Sequence, residues 1–355
     1  MPQKKTTLKK PPKKFDPTTT ISSEFGIFGI PLTEDECKVV LLPVPWEVTT
    51  SYGKGASNGP RIIRQASEQI DLFDFETKNA YEAGYFMRQI SKDILIKNKK
   101  FKKIAQKVIE LRTSQIKATT QIDRLVAEVN TASAELTDWV YRQTKEILAA
   151  GKLFGLVGGD HSTPLGAIKA ICEKHPEAGI LHVDAHSDTR KAYQGFEQSH
   201  ASIMYNVMNL KKKPAKLVQV GIRDFCEEEY NFINSRSDIK TFFDIGLKQR
   251  LLKGETWASV AADIINELPQ KVYISFDIDG LDPRYCPSTG TPVIGGLSVD
   301  EVFFLFNLLA QSGRQIVGFD LNEVSSGEKS ESEWDGNVGA RLLYKLCNWT
   351  VVTNK

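Results

Sequence analysis

Asp184, His186 and Asp188 stand at alternate positions just past an apolar run, Gly179-Ile180-Leu181-His182-Val183. Alternate side chains of an extended segment leave the same face, so these three can converge on one point. Two carboxylates and an imidazole form a hard-to-borderline donor set. That set suits a divalent cation such as Mn, Fe, Co, Ni or Zn. A polar turn at the end of a strand has the same composition, so the triplet alone leaves both readings open.

Two further stretches have the same design. Val157-Gly158-Gly159-Asp160-His161-Ser162 follows the apolar run Leu153-Phe154-Gly155-Leu156 and places His161 just past a strand end. The β-rich run from Val272 to Phe276 ends in Asp277 and Asp279, again two apart and on one face. Strands that each end in ligand-type residues point to one site at the carboxyl edge of a parallel sheet, where open α/β sheets place their ligands.

Taken together and in this order, Gly-Gly-Asp-His-Ser, Asp-Ala-His-Ser-Asp and Ser-Phe-Asp-Ile-Asp-Gly-Leu-Asp-Pro resemble the signatures of the ureohydrolase family. That family includes arginases, agmatinases, guanidinobutyrases, proclavaminate amidinohydrolases, formimidoylglutamases and guanidine hydrolases. The resemblance runs from about Val39 to about Leu346. It implies a three-layer α/β/α sandwich with a central, mostly parallel sheet, and a binuclear-metal hydrolase that cleaves a guanidino C–N bond to urea and an amine. One metal would take His161, Asp184, Asp188 and Asp277, and the other His186, Asp184, Asp277 and Asp279, with Asp184 and Asp277 bridging. Mn is the expected metal, with Ni or Co as alternatives. By the same resemblance, His200 in Gln198-Ser199-His200-Ala201 is the proton shuttle, and Glu323 in Asn322-Glu323-Val324 holds the substrate cation. Asp320 reads as a supporting group. A homo-trimer or homo-hexamer is implied as well.

The Ser-His-Ala form is agmatinase-like, so the expected reaction is agmatine to putrescine and urea. Asp224 matches an arginase Asp, but Cys226 stands where arginases use an acid to hold the substrate's α-amino group, which argues against arginine. Free guanidine, guanidinobutyrate and formimidoylglutamate remain alternative substrates. A catalytically silent metal-binding homologue is the non-enzyme alternative, and the presence of all six ligands with His200 and Glu323 argues against it.

The elements that must position these residues fit one large α/β domain of 25–355 in a chain of 355 residues. Hydrophobic residues make up 41% and charged residues 25%, as in ordinary globular proteins. A net charge of +2 offers no argument for nucleic acid or a membrane surface, and no apolar run is long enough to span a bilayer. The 5 Cys lack close pairs, which points to a reducing, cytoplasmic setting.

Residues 1–24 read as a disordered basic tail, with binding to an acidic partner as the other reading. Phe25 to Pro31 reads as a docking segment, and Lys38 to Pro45 as the first strand. Trp46 to Pro60 reads as a loop that rims the site, the other reading being a structural crossover. Pro60 opens a helix through Ala66.

From about 93 to 150 the pattern is charged and helical, without Pro or Gly. Ile104, Val108 and Leu111 recur at helical spacing, as do Ile122, Leu125, Val126 and Val129. This stretch reads as an insertion, either two or three helices packed on the sheet or a hairpin for subunit contact.

Further on, Leu217 to Arg223, Thr241 to Ile245 and Gln315 to Leu321 read as strands. Trp257 to Leu268, Val299 to Ala310 and Trp334 to Leu346 read as helices, the last with Ala340-Arg341-Leu342-Leu343 on its buried side. His182 reads as a core residue and His175 as a solvated one.

Overall fold

The computed structural model describes residues 26–114, 120–327 and 333–355, so the basic tail and Phe25 lie outside the described residues. Eight strands form one sheet: β1 (Val39–Pro43), β2 (Tyr85–Met87), β3 (Leu153–Val157), β4 (Gly179–Val183), β5 (Leu217–Ile222), β6 (Ile239–Phe243), β7 (Lys271–Asp277) and β8 (Gln315–Asn322). Their order is β2-β1-β3-β8-β7-β4-β5-β6, and every neighbouring pair is parallel. Both faces of such a sheet are covered, so its strands are apolar throughout rather than alternating. β1 shows this directly: Val39 and Leu41 join one core, Val40 and Leu42 the other.

The helices divide between those two cores. α1 (Gly59–Ala66) packs on the first face. α2 (Lys92–Thr113), α3 (Thr120–Ala149), α4 (Leu165–Lys174), α5 (Ile203–Met208) and α6 (Glu227–Asn234) send their buried apolar residues into the second. α7 (Asp244–Leu252), α8 (Trp257–Asn266), α9 (Val299–Gln311) and α10 (Trp334–Val352) return to the first. The result is the expected three-layer α/β/α sandwich.

The stretch without Pro or Gly forms α2 and α3. They run antiparallel, as the Lys97–Glu135 and Lys100–Glu128 pairs require. Phe101, Ala105 and Val108 of α2 share a core with Val129, Leu136 and Val140 of α3. α3 in turn lies on α4 so closely that a Cβ at Gly166 would fall 2.1 Å from the Thr137 carbonyl oxygen.

Two consecutive strands of the chain, β3 and β4, are separated in the sheet by β8 and β7. The four central strands therefore deliver four stretches to one edge: His161 after β3, Glu323 after β8, Asp277 and Asp279 at β7, and Asp184 to Asp188 after β4. A crevice at the carboxyl ends of strands, beside such a reordering, is where α/β sheets bind ligands.

Three details differ from the sequence reading. Arg341 is exposed, with Nη1 donating to Asn337 Oδ1 at 2.6 Å, while Ala340, Leu342 and Leu343 are buried. At about 100° per residue, four consecutive helical side chains cannot share one face. β6 stops at Phe243, and Asp244 and Ile245 already belong to α7. α10 continues to Val352, beyond Leu346. The docking segment behaves as expected from Ile27 on: Ile27, Phe28 and Ile30 are buried, and the Phe28 ring meets those of Tyr85 and Tyr344 edge-on.

Candidate active site

His161 leaves β3 through Gly158 and Gly159. A Cβ at Gly159 would lie 1.8 Å from the Trp46 carbonyl oxygen, and that oxygen accepts the Asp160 N–H at 2.7 Å. Only glycine allows this approach, and it turns the His161 ring into the crevice. His161 Nδ1 lies 3.0 Å from Asp184 Oδ2, 3.2 Å from Asp277 Oδ2 and 3.3 Å from Asp188 Oδ2. Its other nitrogen, Nε2, is 2.9 Å from Ser275 Oγ, which donates to Asp320 Oδ1 at 2.9 Å. With Nε2 carrying the proton, Nδ1 is left free to act as a donor to a cation. Asp320 thus supports the site as expected, through Ser275.

The second imidazole sits beside a second pair of carboxylates. His186 Nδ1 is 3.1 Å from Asp279 Oδ2 and 3.5 Å from Asp184 Oδ1. Asp184 therefore faces both imidazoles. The six residues thus lie in two overlapping groups that meet at Asp184, Asp188 adopting a left-handed backbone with φ of 55° and the neighbouring Glu323 one with φ of 60°. Non-glycine residues accept such a backbone at a cost, and functional sites are where that cost recurs. Glu323 Oε1 accepts the His161 N–H at 3.0 Å, tying this carboxylate to the loop after β3.

His182 is as buried as expected, but it belongs to the site. Its Nε2 is 2.8 Å from Asp184 Oδ2. Gln219 is oriented by Thr241 Oγ1, which donates to its Oε1, and by the Ser187 carbonyl, which accepts from its Nε2. The same Nε2 faces His182 Nδ1 at 3.1 Å, so the ring accepts there and donates to Asp184. His182 stands two residues before Asp184, but within a buried strand that spacing alone does not tell a site residue from a core one. His175 is half-buried at the end of α4, its Nδ1 3.1 Å from Lys271 Nζ.

The cluster has an electrostatic excess of one sign. Asp184, Asp188, Asp277, Asp279, Asp320 and Glu323 are all buried. Among the described residues their ion-pair partners are histidines, never Lys or Arg. Burial, with the neighbouring charges of Asp279 and Asp184, holds Asp277 well above the ordinary carboxylate range. Burial and Asp184 push Asp188 up to about 7. Burial, Asp277 and Asp160 raise Glu323 likewise. Burial works against a charge on His186, yet Asp279 and Asp184 raise it to about 12. Buried carboxylates need a countercharge. Carboxylates and imidazoles at these separations fit divalent cations, and the histidines alone do not balance them.

Around this floor, Ser51, Arg190, Tyr193, His200, Asp224 and Thr291 line the opening. His200 Nδ1 is buried without a hydrogen-bond partner, and the ring meets Tyr193 edge-on. Burial, with His186 and His161 nearby, pushes His200 down to about 4. Arg223 lies beneath the rim. Its guanidinium donates to the carbonyl oxygens of Gly221, Asp279, Leu281 and Val293, stitching the loops after β5 and β7 together.

Residues 37–348 match the Arginase family. The chain belongs to the arginase family. It is 28% identical over 318 residues to the N(1)-aminopropylagmatine ureohydrolase of Synechocystis sp., covering 88% of this chain and 89% of that one. It is 28% identical over 331 residues to the agmatinase of Klebsiella pneumoniae, covering 92% and 93%. Proclavaminate amidino hydrolase from Streptomyces clavuligerus shares the fold, with a TM-score of 0.71 at 22% identity over 95% of this chain and 100% of that one. The protein is accordingly an arginase-family hydrolase. No described helix is long and apolar enough to cross a membrane.

Proposed function

We propose that this arginase-family hydrolase cleaves a terminal guanidino group at a binuclear metal site, and that agmatine, giving putrescine and urea, is its first candidate substrate. The assembly of His161, Asp184, Asp188 and Asp277 beside His186, Asp184 and Asp279, two groups that overlap at Asp184, carries the reading. Two cations, Mn before Ni or Co on grounds of carboxylate content, would be held by His161, His186, Asp184, Asp188, Asp277 and Asp279. When bound, such cations supply Lewis acidity and bring the pKa of water to near neutrality. Assembly as a homo-trimer or homo-hexamer belongs to the same proposal.

The chain's own residues do the rest. A guanidinium carbon is a poor electrophile because its charge is spread over three nitrogens. Glu323, buried and lifted in pKa by its neighbours, gains the cation it lacks when a guanidinium binds. It thereby orients the carbon over the site floor. A C–O bond forms from water, the C–N bond breaks, and one water proton must end on the departing amine. His200 lines the opening, and its buried Nδ1 has no hydrogen-bond partner, so this ring is the candidate to move that proton. We expect His200→Ala to keep its full metal content and lose turnover by roughly 10²–10⁴-fold, the usual span of general acid–base catalysis. Wild-type turnover in that variant would remove His200 from the reaction.

The agmatine reading needs a partner for the far amine. Asp224 lines the opening, and its side chain is 68% exposed. Asp224→Asn is expected to raise KM for agmatine by about tenfold with little change in kcat, the mark of a contact made equally in ground and transition states. One observation favours a second reading. Arg190 lines the same opening, its Nε 3.4 Å from Glu229 Oε2 and its guanidinium 5.1 Å above the Tyr193 ring. Glu229 already accepts the N–H groups of Thr189 and Cys226. An arginine fork at a pocket mouth suits a carboxylate, so a guanidino acid would be held there.

Urea release from agmatine, 4-guanidinobutyrate, arginine and free guanidine, measured with Mn or Ni, separates the two. Preference for agmatine supports the first reading. Preference for 4-guanidinobutyrate, lost in Arg190→Ala, replaces it with the second.

A further inference from the structure

The α2–α3 pair takes no part in the chemistry above, yet it grips both loops that flank the opening. The first loop follows β1. Its Glu47 is buried, and the carboxylate gathers the loop onto itself: Oε2 accepts the Gly55 N–H at 2.7 Å and Oε1 accepts Ser57 Oγ at 2.9 Å. The charge is met from α2, where Lys102 Nζ lies 2.5 Å from Glu47 Oε1. Asn98, also on α2, accepts the Glu47 N–H at 2.8 Å. The arc closed in this way carries Ser51 into the pocket wall.

The second loop precedes His200, and α3 holds it. Asn130 Nδ2 donates to the Gly195 carbonyl at 3.2 Å, and its Oδ1 accepts the Glu197 N–H at 3.1 Å. About two turns further on, Thr137 Oγ1 donates to Gln198 Oε1 at 2.8 Å. The end of α2 reaches the same loop: a Cβ at Gly195 would lie 2.7 Å from Arg112 Nη2. This loop brings Tyr193 and His200 to the opening. The pair that spans the two loops is itself held by a shared apolar core and seated on α4, the helix that follows the His161 turn.

We propose that the α2–α3 pair is a clamp that sets the spacing of the Ser51 and His200 loops, with Lys102 and Asn130 as its positioning residues. The clamp rests on the reading of this pocket as a guanidino site. Its physical basis is that loops are mobile unless their buried polar groups are met by a rigid element, and here one rigid element meets those of both. A substrate held between the loops then sees a fixed gap, and loosening one wall weakens ground-state and transition-state binding alike.

The test uses the metal-loaded full chain and needs no assumption about turnover. Lys102→Met leaves the Glu47 carboxylate buried without its cation, and Lys102→Arg retains a cation. Asn130→Ala frees the other loop. In Lys102→Met we expect amide exchange over residues 49–57 to accelerate by about tenfold or more, and in Asn130→Ala the same over residues 193–199. Metal content per chain and exchange in β4 and β7 should match the wild type. With a substrate that the wild type turns over, Lys102→Met should raise KM by about tenfold at nearly unchanged kcat, and Lys102→Arg should restore it. If Lys102→Met does not accumulate, Glu47→Gln reads the same loop without the stranded charge.

Loops that exchange as in the wild type, with KM unchanged, overturn the clamp. Acceleration spread through β4 and β7 overturns it as well, because it marks general destabilisation. A wild type that releases no urea from any guanidino compound defeats the functional reading instead, and exchange alone then decides the clamp.

Discussion

Asp184→Ala is expected to abolish metal loading and urea release together in a chain that still folds. Asp184 occupies the middle of the site. Its Oδ2 lies 3.0 Å from His161 Nδ1 and 2.8 Å from His182 Nε2, and its Oδ1 accepts the His186 N–H at 2.6 Å. Removing it takes a shared donor from both proposed cations and leaves two imidazoles facing a cavity. Asp277→Ala should act alike, since Asp277 Oδ2 is 3.2 Å from His161 Nδ1 and its Oδ1 accepts the Asp279 N–H at 2.9 Å. Loss of a group that only orients a ligand typically costs about 10–100-fold in metal affinity or activity. A shared ligand must cost more, so the loss should exceed about 10²-fold.

His182→Leu supplies the contrast. It removes the proton that His182 donates to Asp184 without removing a proposed ligand, and it should fall inside that range. Metal per chain by elemental analysis, circular dichroism and urea release decide the matter. A variant Asp184→Ala that keeps both metals and turns over would end the six-ligand assignment.

Spacing alone marked Asp184, His186 and Asp188, and Asp277 and Asp279, as possible partners. The strand rule behind that reading stops short of most of them: β4 ends at Val183, Asp188 has a left-handed backbone and Asp279 lies in a 3-10 turn, so the six-residue set rests on the family resemblance. How the three stretches meet was not written locally. It depends on β8 and β7 entering between β3 and β4, a non-local ordering to which no short run of residues testifies. Nor was the left-handed backbone at Asp188 and Glu323 visible, since neither residue type demands it. His182 shows the limit from the other side. An imidazole within an apolar strand reads as core, and it is buried; that Asp184 is its partner follows only once Gln219 on the adjacent β5 fixes its tautomer. The α2–α3 helices were plain from periodicity, but not their grip on the loops, because Asn98, Lys102 and Asn130 are ordinary surface types until Glu47 and Gly195 are placed against them.

Removing the metals should reverse the usual dependence of stability on pH. Folded carboxyls in this site bind protons more tightly than they do in the unfolded chain: burial raises Asp188 to about 7 and Asp320 to about 6, and it raises Asp277 and Glu323 well above their ordinary values too. Their contribution is complete below the ordinary carboxylate range, near about 4, and is lost as pH rises through the folded values. His186, raised to about 12, and His161 have the same sign: both favour the folded state below their ordinary value and progressively less above it. Asp184 has the opposite sign, but its contribution is complete above the ordinary carboxylate value and changes only below about pH 4. His182 and His200, lowered by burial, oppose the trend and are outnumbered.

The metal-free protein should therefore lose stability from about pH 5.5 to about pH 7.5, with a fall in unfolding temperature on the order of 5 °C. Cations require deprotonated ligands, so their affinity rises over the same interval, and with it the stabilisation they confer. The gap in unfolding temperature between loaded and metal-free protein should widen as pH rises, where an ordinary acid-labile protein would show both forms gaining together. Calorimetry on dialysed and reloaded samples at matched ionic strength measures the two slopes. A metal-free form that gains stability across this interval would mean that these carboxylates find their countercharge within the chain, and the case for cations at this point would fall with it.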